Sequence, residues 1–448
     1  MILQEQIALF SLVFLPLLAS VFIMLIPSVD TEAKKTLSKF FALIELIIFL
    51  YVFYMLFKKN ILATTAIKFD FIDISINFYL QINKYNIFIY LISTAFLVLN
   101  TFFTDDNNSN KSKESFLFLF SFILNIIIGQ NDIKIALPVV SLSSFIIFFI
   151  IALNNYGLRG SVIFKVGMFL TCCDSICLIM IQTKNSFIID NTIITFIILL
   201  TPALSRMSLP MFLPFIKQLY LSCEEESCIL ISFLQILGFF LLLLIYNEIN
   251  FSFGLSLIII IMILLGVIYL FFLLLKEKNN EFINYYLFLI HSSLSASLMF
   301  ISKNDIYAKL SIMLCVCNIL SYTISFYIYK KSQYFLNANF ADVITKLSYL
   351  LLLGLPGIGI GCSIWTIVWY LLNYNENLLI NYAIMPMIMI SITSSFVCVF
   401  NNIYNKKYYK NNHNFTTFDS GKNYVLLFVF GLIINAVIPF LMIYKFRG

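Results

Sequence analysis

Charged side chains are scarce in this sequence. Only 11% of its 448 residues are Asp, Glu, Lys or Arg, whereas 61% are hydrophobic. Soluble domains carry roughly a quarter charged residues, and no window here is long and polar enough to fold as a separate water-soluble domain. The scarcity of charge excludes a soluble globular protein and predicts a single transmembrane domain over residues 1–448.

Histidine is rarer still, with two residues, beside nine Cys, nine Pro and 14 Gly. The cysteines lie mostly inside apolar runs and form no metal pattern with a nearby histidine, so neither a metal site nor a disulfide framework is predicted. The net charge of +6 is spread thinly over loops, which gives no patch for nucleic acid. No nucleotide loop, haem site or iron–sulfur motif is present. We therefore expect no cofactor and no redox chemistry on this chain.

Long apolar runs fill the rest of the sequence. A helix that spans a membrane needs about 20 mostly apolar residues, and this rule predicts an all-α integral membrane fold with about fourteen transmembrane helices. The predicted segments are 6–27, 38–57, 86–103, 115–130, 134–153, 162–182, 189–216, 226–246, 254–275, 281–302, 307–329, 343–372, 379–401 and 424–444.

The seventh and twelfth segments are too long and too broken for simple spans. The seventh contains Pro210 and Pro214, and the twelfth contains Pro356 and Gly357. Proline removes a backbone donor and clashes with the preceding turn, so both helices are predicted to be discontinuous. Two broken helices five segments apart are typical of the inverted repeats of transporters.

Five ionisable residues fall well inside the predicted segments: Glu45, Lys165, Asp174, Arg206 and His291. Such residues are costly in a membrane and usually face a bundle interior. Lys165 and Asp174 are nine residues apart on one helix, so they lie on opposite faces and each needs a partner elsewhere. His291 is of the residue type that can titrate near neutral pH, and it is followed by serines that could carry a proton through water. The alternative is a hydrogen-bonded core histidine.

Arg206 stands beside the predicted break of the seventh helix. An arginine keeps its proton in a protein, so we predict a fixed charge with a counter-charge within about 4–6 Å. Asp174 is the candidate acid nearest in sequence. The alternative is a helix end from which Arg206 reaches the lipid headgroups.

Four stretches resemble, in order and with compatible spacing, the antiporter-like membrane subunits of respiratory complex I. They are SLVFLPLLASVFIMLIP, KFDFIDISINFYLQINKYNIFIYLISTAFLVL, YLFLIHSSLSASL and LGLPGIGIG, and the resemblance extends over nearly the full length of the chain. The resemblance is greatest to NADH dehydrogenase subunit 4. Subunit 2 is a near rival, because LQILGFFLLL resembles its eighth helix.

The resemblance implies a proton route, and this sequence departs from it. The family's titrating positions on helices five, seven, eight and twelve are occupied by Ser141 or a neighbour, Arg206, Gln235 and Ile364, whereas His291 stands where a histidine is expected. A second family histidine falls near Cys317 or Asn318. The implied pathway therefore consists of Arg206, Gln235 and His291, with Lys165 and Asp174 as supporting charges. His291 is the one member able to exchange protons near neutral pH.

The resemblance also implies an assembly and a location. The chain would be a proton-translocating subunit of NADH:ubiquinone reductase in the mitochondrial inner membrane. Its 49 Phe and 25 Tyr, against 14 Gly and nine Pro, indicate an AT-rich genome, which fits an organellar gene. Its partners would be other membrane-arm subunits and lipids such as cardiolipin, while NADH, FMN, iron–sulfur clusters and ubiquinone would bind other subunits. Two alternatives stay open: an independent secondary cation/proton antiporter, and a structural spacer of the membrane arm that does not pump.

Overall fold

The structure of the protein is a computed structural model. It describes residues 2–27, 30–58, 61–63, 67–71, 74–78, 81–83, 86–103, 113–130, 133–154, 158–183, 193–207, 227–248, 252–277, 279–301, 305–332, 338–354, 356, 358–373, 378–404 and 422–441.

Helices dominate the described part of the chain. They are α1 (Ile2–Leu25), α2 (Thr31–Lys58), α3 (Asn86–Phe103), α4 (Lys113–Ile128), α5 (Ile133–Asn154), α6 (Leu158–Thr183), α7 (Ile193–Arg206), α8 (Ser227–Glu248), α9 (Phe253–Lys276), α10 (Asn280–Leu298), α11 (Asp305–Ser332), α12 (Ala338–Leu350), α13 (Gly361–Asn373), α14 (Leu378–Tyr404) and α15 (Lys422–Phe440).

Four short strands lie between α2 and α3, so the all-α expectation is wrong for this segment. They are β1 (Ile61–Ala63), β2 (Ile67–Phe71), β3 (Ile74–Phe78) and β4 (Gln81–Asn83). β1 pairs with β4 and β2 with β3, both antiparallel. Because β2 and β3 alternate apolar and polar residues over five positions each, they suit a strand better than a helix.

Every predicted transmembrane segment overlaps a described helix, and the twelfth overlaps two, α12 and α13. Six spans within these helices are long and apolar enough to cross a membrane: Gln6–Leu25, Thr31–Leu56, Gly160–Ile179, Phe253–Lys276, Ile306–Tyr329 and Tyr382–Phe400. The protein is thus a multi-pass membrane protein. The count of fourteen spans and the inverted repeat stay predictions.

The chain divides into two compact units, 1–146 and 147–448. In the first, α1 packs on α2 and α4, and α3 packs on the same two helices. In the second, α7 packs between α6 and α8, while α10 contacts α9, α11 and α14. The single domain expected over residues 1–448 stays a prediction.

Helix α9 has one face buried in the protein and one exposed face. Ile260, Ile263 and Val267 on one face are buried. Leu265 and Phe272 on the other are 62% and 55% exposed. Because both faces are apolar, the exposed one suits contact with lipid hydrocarbon, as a spanning helix requires.

The predicted break of the twelfth segment is confirmed between Leu350 and Gly361. Pro356 is an exposed turn residue in the gap, and Gly357 lies outside the described residues. The freed backbone groups find partners inside the protein, as membrane depth demands. Ile360 N donates to Leu351 O at 2.9 Å, Gly361 N donates to Leu353 O at 3.1 Å, and the Trp365 indole donates to Gly354 O at 2.9 Å.

Glycine is required at one position of this break. Gly359 has a φ of 52°, in the left-handed region that side chains disfavour. A Cβ atom there would lie within 2.6 Å of Leu350 O and closer still to Leu351 O. The carbonyl-rich turn between α12 and α13 therefore excludes any side chain at 359.

Helix α7 ends at Arg206, where Met207 N still donates to Ala203 O at 3.0 Å. The helix thus ends before the two prolines of the seventh segment. Pro210 and Pro214, the predicted break itself, lie outside the described residues.

Candidate functional site

Arg206 is a fully buried cation held by a fully buried acid. Its Nη1 donates to Asp174 Oδ1 at 2.7 Å and its Nη2 donates to Asp174 Oδ2 at 2.5 Å. Both side chains have no exposed surface. The two parallel bonds are the fork geometry in which guanidinium and carboxylate fit best. The predicted counter-charge is confirmed, and Asp174 on α6 supplies it.

A third bond ties the guanidinium to its own helix. Nη1 also donates to Pro202 O at 3.0 Å. Pro202 lies within α7, and Arg206 is in the last helical turn, where a cation also favours the negative end of the helix dipole. The cation is thus anchored along α7 and across to α6, and the headgroup-snorkelling alternative is wrong for this buried side chain.

Gln235 on α8 holds the end of α7. Its Nε2 donates to Met207 O at 2.6 Å, satisfying one of the carbonyls that a helix C-terminus leaves without an intrahelical donor. Gln235 is 1% exposed, and its Oε1 makes no hydrogen bond to the described residues. Gln235 therefore acts as a helix cap in the described structure.

The close approach of α7 and α8 depends on Gly238. A Cβ atom at this position would lie 2.8 Å from Ala203 O and Met207 Cγ, and 2.9 Å from Arg206 Cβ. The missing side chain allows the two helices to touch beside Arg206. The local sequence does not predict this requirement, because it does not show which atoms of another helix pack against a glycine.

Lys165 does not join these residues. Asp174 faces the interior of the second unit, whereas Lys165 is exposed on α6. The prediction that the two occupy opposite faces is confirmed, and the expectation that Lys165 faces a bundle interior is wrong for the described chain. Lys165 is five residues from the start of the span Gly160–Ile179, close enough for a long side chain to extend to the headgroups.

His291 lies in a separate, neutral cluster. It is fully buried on α10, and its Nε2 lies 3.3 Å from Ser395 Oγ on α14. Ser395 Oγ also donates to Ser391 O, one turn earlier, at 2.9 Å. When the hydroxyl proton is used in that bond, Ser395 Oγ can accept a hydrogen bond from a protonated Nε2 of His291.

Asn318 on α11 is a further polar neighbour of the imidazole. Its Nδ2 donates to Ser292 Oγ at 3.0 Å and to Phe288 O at 3.0 Å, and the residue lies beside His291. This is the place where the family resemblance expects a second histidine. An amide there positions neighbouring groups but exchanges no proton near neutral pH.

Several buried polar atoms around His291 make no direct hydrogen bond to the described residues. They are His291 Nδ1, Asn318 Oδ1, Ser391 Oγ and Ser394 Oγ. Buried polar atoms of this kind are normally satisfied by ordered water. The cluster between α10, α11 and α14 is therefore suited to hold water next to a titratable ring.

The predicted pathway residues form two groups. Arg206, Asp174 and Gln235 meet at the end of α7, while the hydrogen bond of His291 goes to Ser395. Within the described structure, no direct hydrogen bond joins Gln235 to His291. The helix-five and helix-twelve positions are filled by Ser141 and Ile364, and Ile364 is fully buried on α13. Whether protons pass any of these residues stays a prediction.

Comparison with known proteins gives the fold. No protein-family model matches the sequence. No curated protein matches it. Among solved structures, a chain of the membrane-bound sulfane sulfur reductase, an archaeal respiratory membrane complex, matches with a TM-score of 0.77. The match covers 98% of this chain and 96% of that chain at 14% sequence identity. The chain has that fold. At such low identity the likeness carries no statement about activity.

Proposed function

We propose that this chain is an antiporter-like subunit in the membrane arm of mitochondrial complex I. Two independent observations support the proposal. The fold matches, over nearly its whole length, a chain from a respiratory membrane complex, and four sequence stretches resemble, in order, the antiporter-like subunits of complex I, subunit 4 most closely. The chain then works beside other membrane-arm subunits and lipids such as cardiolipin. Electron transfer from NADH through FMN and iron–sulfur clusters to ubiquinone belongs to those other subunits.

Proton transfer in this subunit is assigned to His291. The observation that carries the assignment is a fully buried imidazole on α10, flanked by Ser395 and Asn318 and by polar atoms suited to bind water. Histidine changes its charge near neutral pH, and water with serine hydroxyls can relay the proton to and from Nδ1. The ring alternates between neutral and protonated forms as protons enter and leave this cluster.

Arg206 and Asp174 have a different role in the proposal. A guanidinium does not release its proton, and both carboxylate oxygens of Asp174 are already bonded to it. The pair is a fixed electrostatic element that holds α6 against α7. Gln235, which does not titrate, fixes the end of α7 and leaves Oε1 to orient a water molecule.

The decisive experiment measures the proton-to-electron ratio of the assembled complex carrying His291→Gln. The expected result is a lower ratio with electron transfer and assembly retained. His413→Gln, the same substitution at the other histidine of the chain, is the control and should leave the ratio unchanged. A full ratio in His291→Gln would remove proton transfer from this residue.

A spacer function is the second candidate, and the Arg206–Asp174 pair favours it. That pair and the Gln235 cap fill the helix-seven and helix-eight positions with groups that cannot exchange protons. A full proton-to-electron ratio in both histidine variants, with normal assembly, supports the spacer. Purification separates both from an independent antiporter: a tagged chain isolated in mild detergent should carry many respiratory subunits, and an active chain recovered alone would contradict the proposal.

A further inference from the structure

Glu45 is a buried acid that the proposed function does not use. It lies near the middle of the candidate span Thr31–Leu56 on α2 and has no exposed surface. Its Oε1 accepts hydrogen bonds from Ser121 Oγ at 2.9 Å and from Asn125 Nδ2 at 3.3 Å, both on α4. Its Oε2, also buried, makes no direct hydrogen bond to the described residues.

The groups around Glu45 are neutral. Ser93 and Tyr90 face the cluster from α3, Leu12 contributes its carbonyl from α1, and Ser121 and Asn125 come from α4. Tyr90 is the titratable member, and its hydroxyl donates to Asn125 O at 2.6 Å. Within the described structure, no cation contacts the Glu45 carboxyl.

The charged residues of the same helices stand far along their axes. On α2, Lys39 precedes Glu45 by six residues and is exposed, Lys34, Lys35 and Glu32 are further away, and Lys58 follows by 13 residues. On α1, Glu5 precedes Leu12 by seven residues. Lys113 and Glu114 begin α4, seven or eight residues before Ser121. At 1.5 Å per residue these separations are about 9 Å or more. A carboxylate at mid-membrane without a cation is strongly disfavoured, so the group takes up a proton instead.

Counting donors in the network shows where that proton goes. Both amide protons of Asn125 are used, one on Leu12 O at 3.0 Å and one on Glu45. Ser93 donates its single proton to Asn125 Oδ1 at 3.0 Å. When Ser121 donates to Glu45, Oε1 is a double acceptor and an added proton occupies Oε2.

A second arrangement uses the same atoms. Ser93 Oγ and Ser121 Oγ are 3.3 Å apart, and either can donate. If Glu45 Oε1 carries the proton, it donates to Ser121, Ser121 donates to Ser93, and Ser93 still donates to Asn125. The chain stops at Asn125, because an amide oxygen accepts the bond but does not pass a proton on. The serines can therefore adjust to either protonation state without moving a heavy atom.

We propose that Glu45, with Ser121, Ser93 and Asn125, is a proton-binding site inside the first unit of the protein. Its ligand is a proton taken from water, which converts the carboxylate into a neutral carboxylic acid. Because the hydrogen-bonded chain ends at Asn125, the site stores a proton and is not a continuous wire. The site is distinct from His291 and does not depend on the role proposed for that residue.

Infrared spectroscopy of the assembled protein at neutral pH tests the proposal. A buried carboxylic acid has a carbonyl stretch separate from the amide bands, and we expect Glu45→Gln to lose one such band. Glu32→Gln, the same change at an exposed position of α2, is the matched control and should retain it. Ser121→Ala should shift the band to higher frequency, because the carbonyl loses a donor. His291→Gln should retain the band, which keeps this result separate from the proposed function.

Chemical modification of the unaltered protein covers the case in which Glu45→Gln does not assemble. Dicyclohexylcarbodiimide adds to protonated carboxylic acids in apolar surroundings and forms a stable N-acylurea without a leaving group. Mass spectrometry should find the adduct on Glu45 and not on Asp174, whose oxygens are held by Arg206. Equal carbonyl spectra of the unaltered protein and Glu45→Gln, or an absence of adduct on Glu45, would overturn the proposal.

Discussion

Asp174 and Glu45 are two fully buried acids whose carboxyl groups have different surroundings. Asp174 has a guanidinium nitrogen on each oxygen, at 2.7 and 2.5 Å. Among the described residues, Glu45 has neutral donors on one oxygen only. The first is a charged group that is neutralised by a partner. The second is a group that, as we propose, is neutralised by a proton.

The difference follows from which groups the fold brings together. Removing a charge from water costs several kcal/mol even after relaxation, so a buried acid needs either an opposite charge or protonation. Packing of α7 on α6 places Arg206 next to Asp174. In the first unit, packing places the neutral residues Ser121, Asn125 and Ser93 around Glu45. The two acids therefore have different roles. Asp174 forms an ion pair that joins α6 to α7, and Glu45 is proposed to bind a proton.

The largest expected effect on stability comes from breaking the Arg206–Asp174 ion pair. Asp174→Asn leaves Arg206 charged and buried with its main partner lost, which should cost about 3–5 kcal/mol. Glu45→Gln keeps the shape and neutral bonding of Glu45 and should cost far less. The free energy of unfolding, measured by denaturant titration in detergent micelles, compares the two. Equal losses would show that the two acids do not differ as described.

A double substitution sharpens this result. Asp174→Asn combined with Arg206→Met removes both charges, and replacing a buried ion pair with apolar groups is often neutral for stability. We expect the double variant to recover most of the loss. A double variant as unstable as Asp174→Asn alone would place the cost in packing, not in the uncompensated charge.

The second effect, about 2–4 kcal/mol, is predicted for Asn125→Ala. This side chain bonds Leu12 O, Glu45 Oε1 and Ser93 Oγ at once, so truncation leaves several buried groups without partners. Asn373→Ala is the matched control, because Asn373 is exposed and bonds only one carbonyl of its own helix in the described structure. A similar small loss in both variants would show that Asn125 does not organise the first unit.

The sequence predicted the broken twelfth helix and the acid at Arg206, because proline chemistry and the cost of a bare charge act locally. It did not predict the exposure of Lys165, since a residue's face is decided by which neighbours pack against its helix. The strands near Ile67–Phe71 were also missed, because five-residue alternation is weak evidence beside long apolar runs. Glu45 was found as an intramembrane acid, but its partners lie up to 80 residues away on another helix.

A smaller effect on stability is expected from the packing of α7 on α8 beside the Arg206–Asp174 ion pair. Gly238→Ala places a methyl group 2.8–2.9 Å from atoms of Ala203, Met207 and Arg206, and such overpacking costs about 1–3 kcal/mol. Gly254→Ala is the control, because nothing lies within 4 Å of the added atom and alanine favours a helix over glycine. We expect a lower denaturation midpoint for Gly238→Ala and an unchanged or higher midpoint for Gly254→Ala. Equal midpoints would contradict the close α7–α8 contact.

The smallest effect tests the charge of Glu45 directly. Ser121→Ala removes the hydroxyl that donates to Oε1. A neutral hydrogen bond contributes about 0.5–1.5 kcal/mol, and one to a charged group about 1.5–3 kcal/mol. Glutamine at position 45 is a neutral acceptor of nearly the same shape. If Glu45 is a neutral acid, Ser121→Ala should cost about the same in the unaltered protein and in Glu45→Gln, near the lower range. If Glu45 is ionised, the cost in the unaltered protein should exceed that in Glu45→Gln by about 1 kcal/mol or more, because the hydroxyl there stabilises a charge. Free energies of unfolding of the four proteins in this cycle decide between the two states.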